Sequence, residues 1–170
     1  MILDEEGNAI TKKYYTNDFP TAEAQQAFEQ KIFKKYKPNT TKDDNSSADN
    51  SIQFIATIGI LDRYIVVGKA GSDCFVFFYG SENENEMILL TAMDGFFEAL
   101  KLMLKCGRTD PLMRRDKVER NEMLKKMPSL FLLMDELCDT GLLSRLLLTR
   151  SVLKEIDAGV LLRNVEMRLK

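Results

Sequence analysis

Residues 51–80 most narrow what this chain can fold into. They hold three runs, "SIQFIATIGI" (Ser51 to Ile60), "RYIVVG" (Arg63 to Gly68) and "CFVFFYG" (Cys74 to Gly80), separated only by "LD" and "KAGSD". β-branched and aromatic residues dominate all three. The links are too short to carry a crossover helix, so the runs must be consecutive antiparallel strands. The near-continuous apolar stretch Phe75 to Tyr79 predicts a strand covered on both faces.

Upstream, "MILDEEGNAITKKYY" (Met1 to Tyr15) reads as a strand, a turn at "EEGN" and a second strand, with Gly7 and Asn8 tolerating positive φ. In "NDFPTAEAQQAFEQKIFKKYKP" an amphipathic helix is predicted. Thr21 is its N-cap, and Ala24, Phe28, Ile32 and Tyr36 recur every fourth residue. Ala27 and Phe33 widen the stripe, and Pro38 ends it. Residues 38–50 have almost nothing to bury and read as a mobile surface loop, with a phosphorylated linker as the functional alternative. Two hairpins around one helix make a five-stranded antiparallel sheet, whose other face further helices must cover.

Those helices begin at an acidic knot, "SENENE" (Ser81 to Glu86). Ser81 with Glu84, or Asn83 with Glu86, has capping-box spacing, which places carboxylates against unpaired N–H groups at a helix start. Leu89, Met93, Phe96, Leu100 and Met103 then step by four and three, with Leu90, Phe97 and Leu104 on an adjoining face. A helix to about Lys105 is predicted, wide enough in apolar surface to be buried on two sides. Residues 106–116 are a polar connection. "NEMLKKMPSLFLLMDELCDTG" reads as a helix with Pro128 in its first turn or at a kink, Leu130, Met134, Leu137 and Cys138 inward, and Gly141 at C′. Leu142 to Lys154 fits strand, helix or docked tail, and a last helix is expected around Ala158 to Met167. Residues 1–141 form the main body, and 142–170 are its C-terminal extension and last helix.

Composition narrows the chemistry. The 170 residues suit one domain, and a net charge of −2 offers no general attraction to nucleic acid or anionic membrane. There is no histidine, which removes Ser–His–Asp and Cys–His nucleophiles and His-ligated metals. The 3 cysteines include no CxxC pair, so neither a zinc knuckle nor a disulfide framework is indicated. No apolar run approaches the ~18–20 residues of a membrane span. A reducing, cytosolic setting is expected; carboxylate or lysine chemistry stays open, and no metal or cofactor is indicated. Three glutamates without His or Cys would make at best a loose calcium loop, and EF-hand spacing is absent.

With this order of elements in place, "ILDEEGNAI-KKYY", "FPTAEAQQAFEQKIF", "GSENENEMILLTAMDGFFEALKLMLK" and "LFLLMDELCDTG" together resemble the zeta-subunit family of coatomer, the COPI coat. The likeness covers about Ile2 to Gly141, with a looser match over Glu155 to Val165. A more distant likeness is to the sigma chains and mu-chain N-termini of clathrin adaptors. The resemblance implies an α+β, longin-like (SNARE-like) domain: a five-stranded antiparallel sheet with one helix on one face and two or three on the other. It implies a non-catalytic coat component seated in a gamma-type large subunit, within a coatomer recruited to Golgi membranes by an Arf-type GTPase for Golgi-to-ER retrograde and intra-Golgi transport. Against that family pattern the first strand is short, as an internal start at Met1 would make it. "CGRTDPLMRR" and "LSRLLLTRSVLK" are additions.

For a partner interface the candidates are Tyr14, Tyr15, Phe33 and Phe97. The two tyrosines alternate along an extended segment, so one faces the first helix and the other the opposite side. Phe33 lies off the Phe28–Ile32 stripe. Most of the 9 methionines read as gap-filling core. Lys34, Lys35 and Lys37 would supplement membrane contact, at ~1 kcal/mol each near anionic lipid, without anchoring it. A sigma-type adaptor chain, a longin SNARE, a free-standing small-molecule sensor and a carboxylate enzyme using Glu82, Glu84 and Glu86 are the rival readings. A SNARE needs a heptad-rich C-terminal helix, which is missing here.

Overall fold

In the computed structural model, residues 1–36, 57–105, 118–139, 142–143 and 158–169 are described. Pro38, the 38–50 loop, the 106–116 connection and Gly141 fall outside them. β1 (Ile2–Asp4) and β2 (Ala9–Thr11) form the first hairpin. Gly7 turns it at φ +84°, where an L side chain would be strained and would also strike the Phe33 ring 2.7 Å away. Asp4 organises the same turn, its Oδ1 accepting from the N–H groups of Glu6 at 3.0 Å and Asn8 at 2.8 Å.

α1 (Ala22–Tyr36) starts where expected, with Ala24 N–H donating to Thr21 Oγ1 at 3.2 Å. β3 (Thr57–Leu61), β4 (Tyr64–Ala70) and β5 (Cys74–Ser81) follow as antiparallel neighbours, and the five-stranded order is β2-β1-β5-β4-β3. The "LD" link is a tight turn with Asp62 at φ +53°. β4 runs two residues further than its sequence pattern implied, because Lys69 and Ala70 still pair with Val76 and Phe75.

The pleat then sorts side chains between two cores. Leu3, Val66, Phe75 and Phe77 meet Phe28, Ile32 and Tyr36 of α1 on one face. Ile2, Val67, Cys74 and Val76 meet the other helices on the opposite face. That opposite layer is α2 (Glu86–Lys105), α3 (Arg120–Lys125), α4 (Met127–Leu137) and α5 (Ala158–Arg168). α2 is covered on two sides as predicted, lying on β4 and β5 beneath α4 and α5.

Three local expectations change. Neither capping-box frame forms at the acidic knot. β5 extends through Ser81, whose carbonyl closes a turn by accepting from Glu84 N–H at 2.9 Å. Asn85 therefore reaches the helix start, its Oδ1 accepting from Met87 N–H at 2.8 Å. The single helix predicted from Asn121 onward is two helices, broken at Lys126, with Pro128 in the first turn of α4 where its missing N–H costs nothing. α4 ends at Leu137, short of Gly141. Cys138 turns extended, and β6 (Cys138–Asp139) pairs with β7 (Leu142–Leu143). Leu133, absent from the predicted stripe, is fully buried there.

Candidate partner-docking surface

The hairpin is shorter than "KKYY" suggested. β2 stops at Thr11 because β1 has three residues to pair, and Lys12 to Tyr15 continue without regular pairing. The tyrosines nevertheless diverge. Tyr14 turns to the α1 side, where its hydroxyl donates to Glu29 Oε1 at 2.9 Å and its ring meets Phe19 edge-on at 5.7 Å. Burial, then the bond to Glu29, pushes its hydroxyl above the ordinary tyrosine range, so it stays a donor. Tyr15 turns to the α4 side, donating to the Cys138 carbonyl at 2.9 Å while Lys13 Nζ lies 4.9 Å from its ring centre. Lys13 is also ion-paired with Asp135 of α4.

The other two candidates lie deeper. Phe33 is half-buried beneath the first turn, edge-on to Phe75 at 5.5 Å. Phe97 is 0% exposed, held between α2 and the sheet with Lys69 and Lys101 Nζ 5.5 and 5.3 Å from its ring centre. Its second stripe on α2 faces the sheet, so its ring has no surface left for a partner. Of the four, only Tyr15 exposes more than a third of itself, at 37%. They do not converge on one patch.

Other apolar side chains are more open. Ile58 and Ile60 on β3 are 45% and 62% exposed, on the α2 face of the sheet beside Val67 and Ile65. Leu102 on α2, Leu124 on α3 and Phe131 on α4 are also exposed. "TIGI" carries no sign of being an outer strand, so these isoleucines were unreadable as surface. Phe131 had a signal, since it stands off the Leu130–Leu137 stripe.

The charged groups are built for structure. Glu29 is 3% exposed and satisfied by Lys12 Nζ at 2.8 Å and Tyr14. Tyr64 donates to Asp18 at 2.8 Å, and this bond first, with Thr16 and Arg63 behind it, holds the Asp18 carboxyl below its ordinary range. The Cys74 thiol is pushed up to about 12 by burial, which leaves it inert at neutral pH. Among the described residues, no group of three His, Cys, Asp or Glu side chains is placed to hold a metal ion, and no helix is long and apolar enough to cross a membrane.

A five-stranded antiparallel sheet between one helix and a helical layer, with scattered apolar surface, is the frame of an adaptor small chain. Residues 1–160 match the family model of the clathrin adaptor complex small chain, and the chain belongs to that family. Within it, the similarity is to coatomer zeta subunits. The chain is 34% identical over 168 residues to coatomer subunit zeta-2 of Arabidopsis thaliana, covering 99% of this chain and 76% of that one. It is 32% identical over 143 residues to coatomer subunit zeta-1 of Bos taurus, covering 84% and 67%. Members of this family are structural coat components.

Proposed function

We propose that the chain is a zeta-type subunit of a COPI-type coat. Its direct partner is a gamma-type large subunit, and it reaches Golgi membranes within the assembled coatomer under an Arf-type GTPase. It acts there by binding and shaping, without bond-making chemistry, in retrograde and intra-Golgi transport. The observation that carries this reading is similarity to coatomer zeta-2 along 99% of the chain. The apolar side chains left open on β3, α2, α3 and α4 agree with a module that is finished by a larger partner. Tyr15 is the candidate contact from the segment that follows the first hairpin; Tyr14 and Phe33 act behind it by holding that segment and the hairpin turn on α1.

Co-expression with a gamma-type coat subunit should yield a stoichiometric complex on size exclusion. Tyr15→Ala should weaken it without changing the fold. Two well-folded chains that never associate, or capture by a clathrin-adaptor large subunit in preference, would sink the proposal.

A further inference from the structure

β3 is the last strand in the sheet order, so one side of it has no strand beside it among the described residues. Its sequence, TIGIL, holds no charge and no proline, the usual means of blunting an outer strand. Antiparallel alternation settles which of its groups point outward. Glu82 N–H donates to the Arg63 carbonyl at 2.9 Å, so Arg63, and in phase with it Ile65 and Val67 of β4, bond toward β5. Tyr64, Val66 and Gly68 therefore bond to their β3 partners Leu61, Gly59 and Thr57. Ile58 and Ile60 lie between these pairs and turn their N–H and C=O groups away from β4.

One of those outward groups is already taken. The Ile60 carbonyl accepts from Tyr36 Oη at 2.5 Å and from Lys35 Nζ at 2.8 Å. Both donors come from the last turn of α1. Tyr36 reaches the edge by packing against Gly59, where a Cβ would come within 2.3 Å of its ring. A glycine inside a strand marks such a close approach. Lys35 Nζ also lies 5.3 Å from the Tyr36 ring centre, so the two side chains support one another at the edge.

We propose that the last turn of α1 is an edge guard, which keeps β3 from pairing with β3 of a second copy of this chain. In a two-fold antiparallel pairing centred on Gly59, Ile58 of each chain faces Ile60 of the other. The Ile60 carbonyl must then accept from the Ile58 N–H of the second copy, and Tyr36 and Lys35 stand where that donor would come. The guard closes the backbone of the edge and leaves the Ile58 and Ile60 side chains open on the α2 face. It holds whether or not a coat subunit is the partner.

Sedimentation velocity on the full chain over a range of concentrations reads the guard directly. Lys35→Met with Tyr36→Phe removes both donors while keeping the lysine stem and the ring on Gly59. The double variant should self-associate about tenfold more tightly than the unaltered chain, because an added strand no longer has to displace bonds to Ile60. Lys35→Met alone, at an exposed side chain, should move part of the way. Association should slow exchange of the Ile60 amide. Adding Ile58→Pro to the double variant takes away the donor to the facing carbonyl without touching a bond to β4, and should return the chain to its unaltered behaviour. Equal self-association of the unaltered chain and both variants would overturn the proposal. So would association that survives Ile58→Pro, since side chains rather than the backbone edge would then carry it.

Discussion

Glu29 keeps its place in an apolar core because Lys12 and the Tyr14 hydroxyl reach it together. Hydrogen bonds to a charged group contribute more than neutral ones, so Glu29→Ala should lower unfolding free energy by about 2 kcal/mol. Glu29→Gln, which still accepts from Tyr14, should recover part of that in urea denaturation. The sequence concealed this residue: a glutamate beside the Phe28–Ile32–Tyr36 stripe reads as a solvated flank, and only the course of Lys12 to Tyr15 over α1 encloses it. Asp18 was equally silent. Its carboxyl is held below the ordinary range by Tyr64, so its contribution to stability is complete above the unfolded carboxylate value and fades as pH falls through the folded one. A 13C carboxyl titration should place Asp18 below the ordinary aspartate value. Tyr64→Phe should raise its midpoint towards the ordinary value; no movement would separate Asp18 from Tyr64.

Among the elements, the start of α2 carries the sharpest test. Asn85→Ala should cost about 1 kcal/mol, the usual loss of an N-cap, whereas Asn85→Ser should be tolerated. Ser81→Ala should cost less than Asn85→Ala, and the reverse order by urea midpoint would restore the capping-box frame. Sequence logic identified a helix start here from the density of cap-forming residues. It offered Ser81 and Asn83 and missed Asn85, because the choice depends on how far β5 extends, and β5 is held to Ser81 by pairing with Tyr64 of β4. α3 and α4 divide for a similar reason. Pro128 was visible as a break, but Lys126 sits at the junction with its Nζ donating to the Met103 carbonyl of α2 at 2.6 Å, a contact from a distant turn.

Across the whole molecule, one sheet supports two cores, with Phe77 in the core under α1 and Leu133 in the core of the opposite helical layer. β4 and β5 line both cores, so neither layer can melt while the other keeps its sheet. Phe77→Ala and Leu133→Ala should each cost several kcal/mol, about 3–5 and 2–5 in turn. Each should shift far-ultraviolet and tyrosine signals together in one denaturation curve; separated transitions would mean that the layers fold independently. Sequence by itself determined the order of the main strands and helices and the antiparallel sheet, because periodicity of two or near four and the length of links are local properties, while the family was legible in whole quoted stretches taken in order. Tertiary structure decided which apolar residues remain at the surface. Phe97 is covered by the sheet while Ile58 and Ile60 are left open on β3, and burial depends on what stands opposite a residue, which no local pattern records.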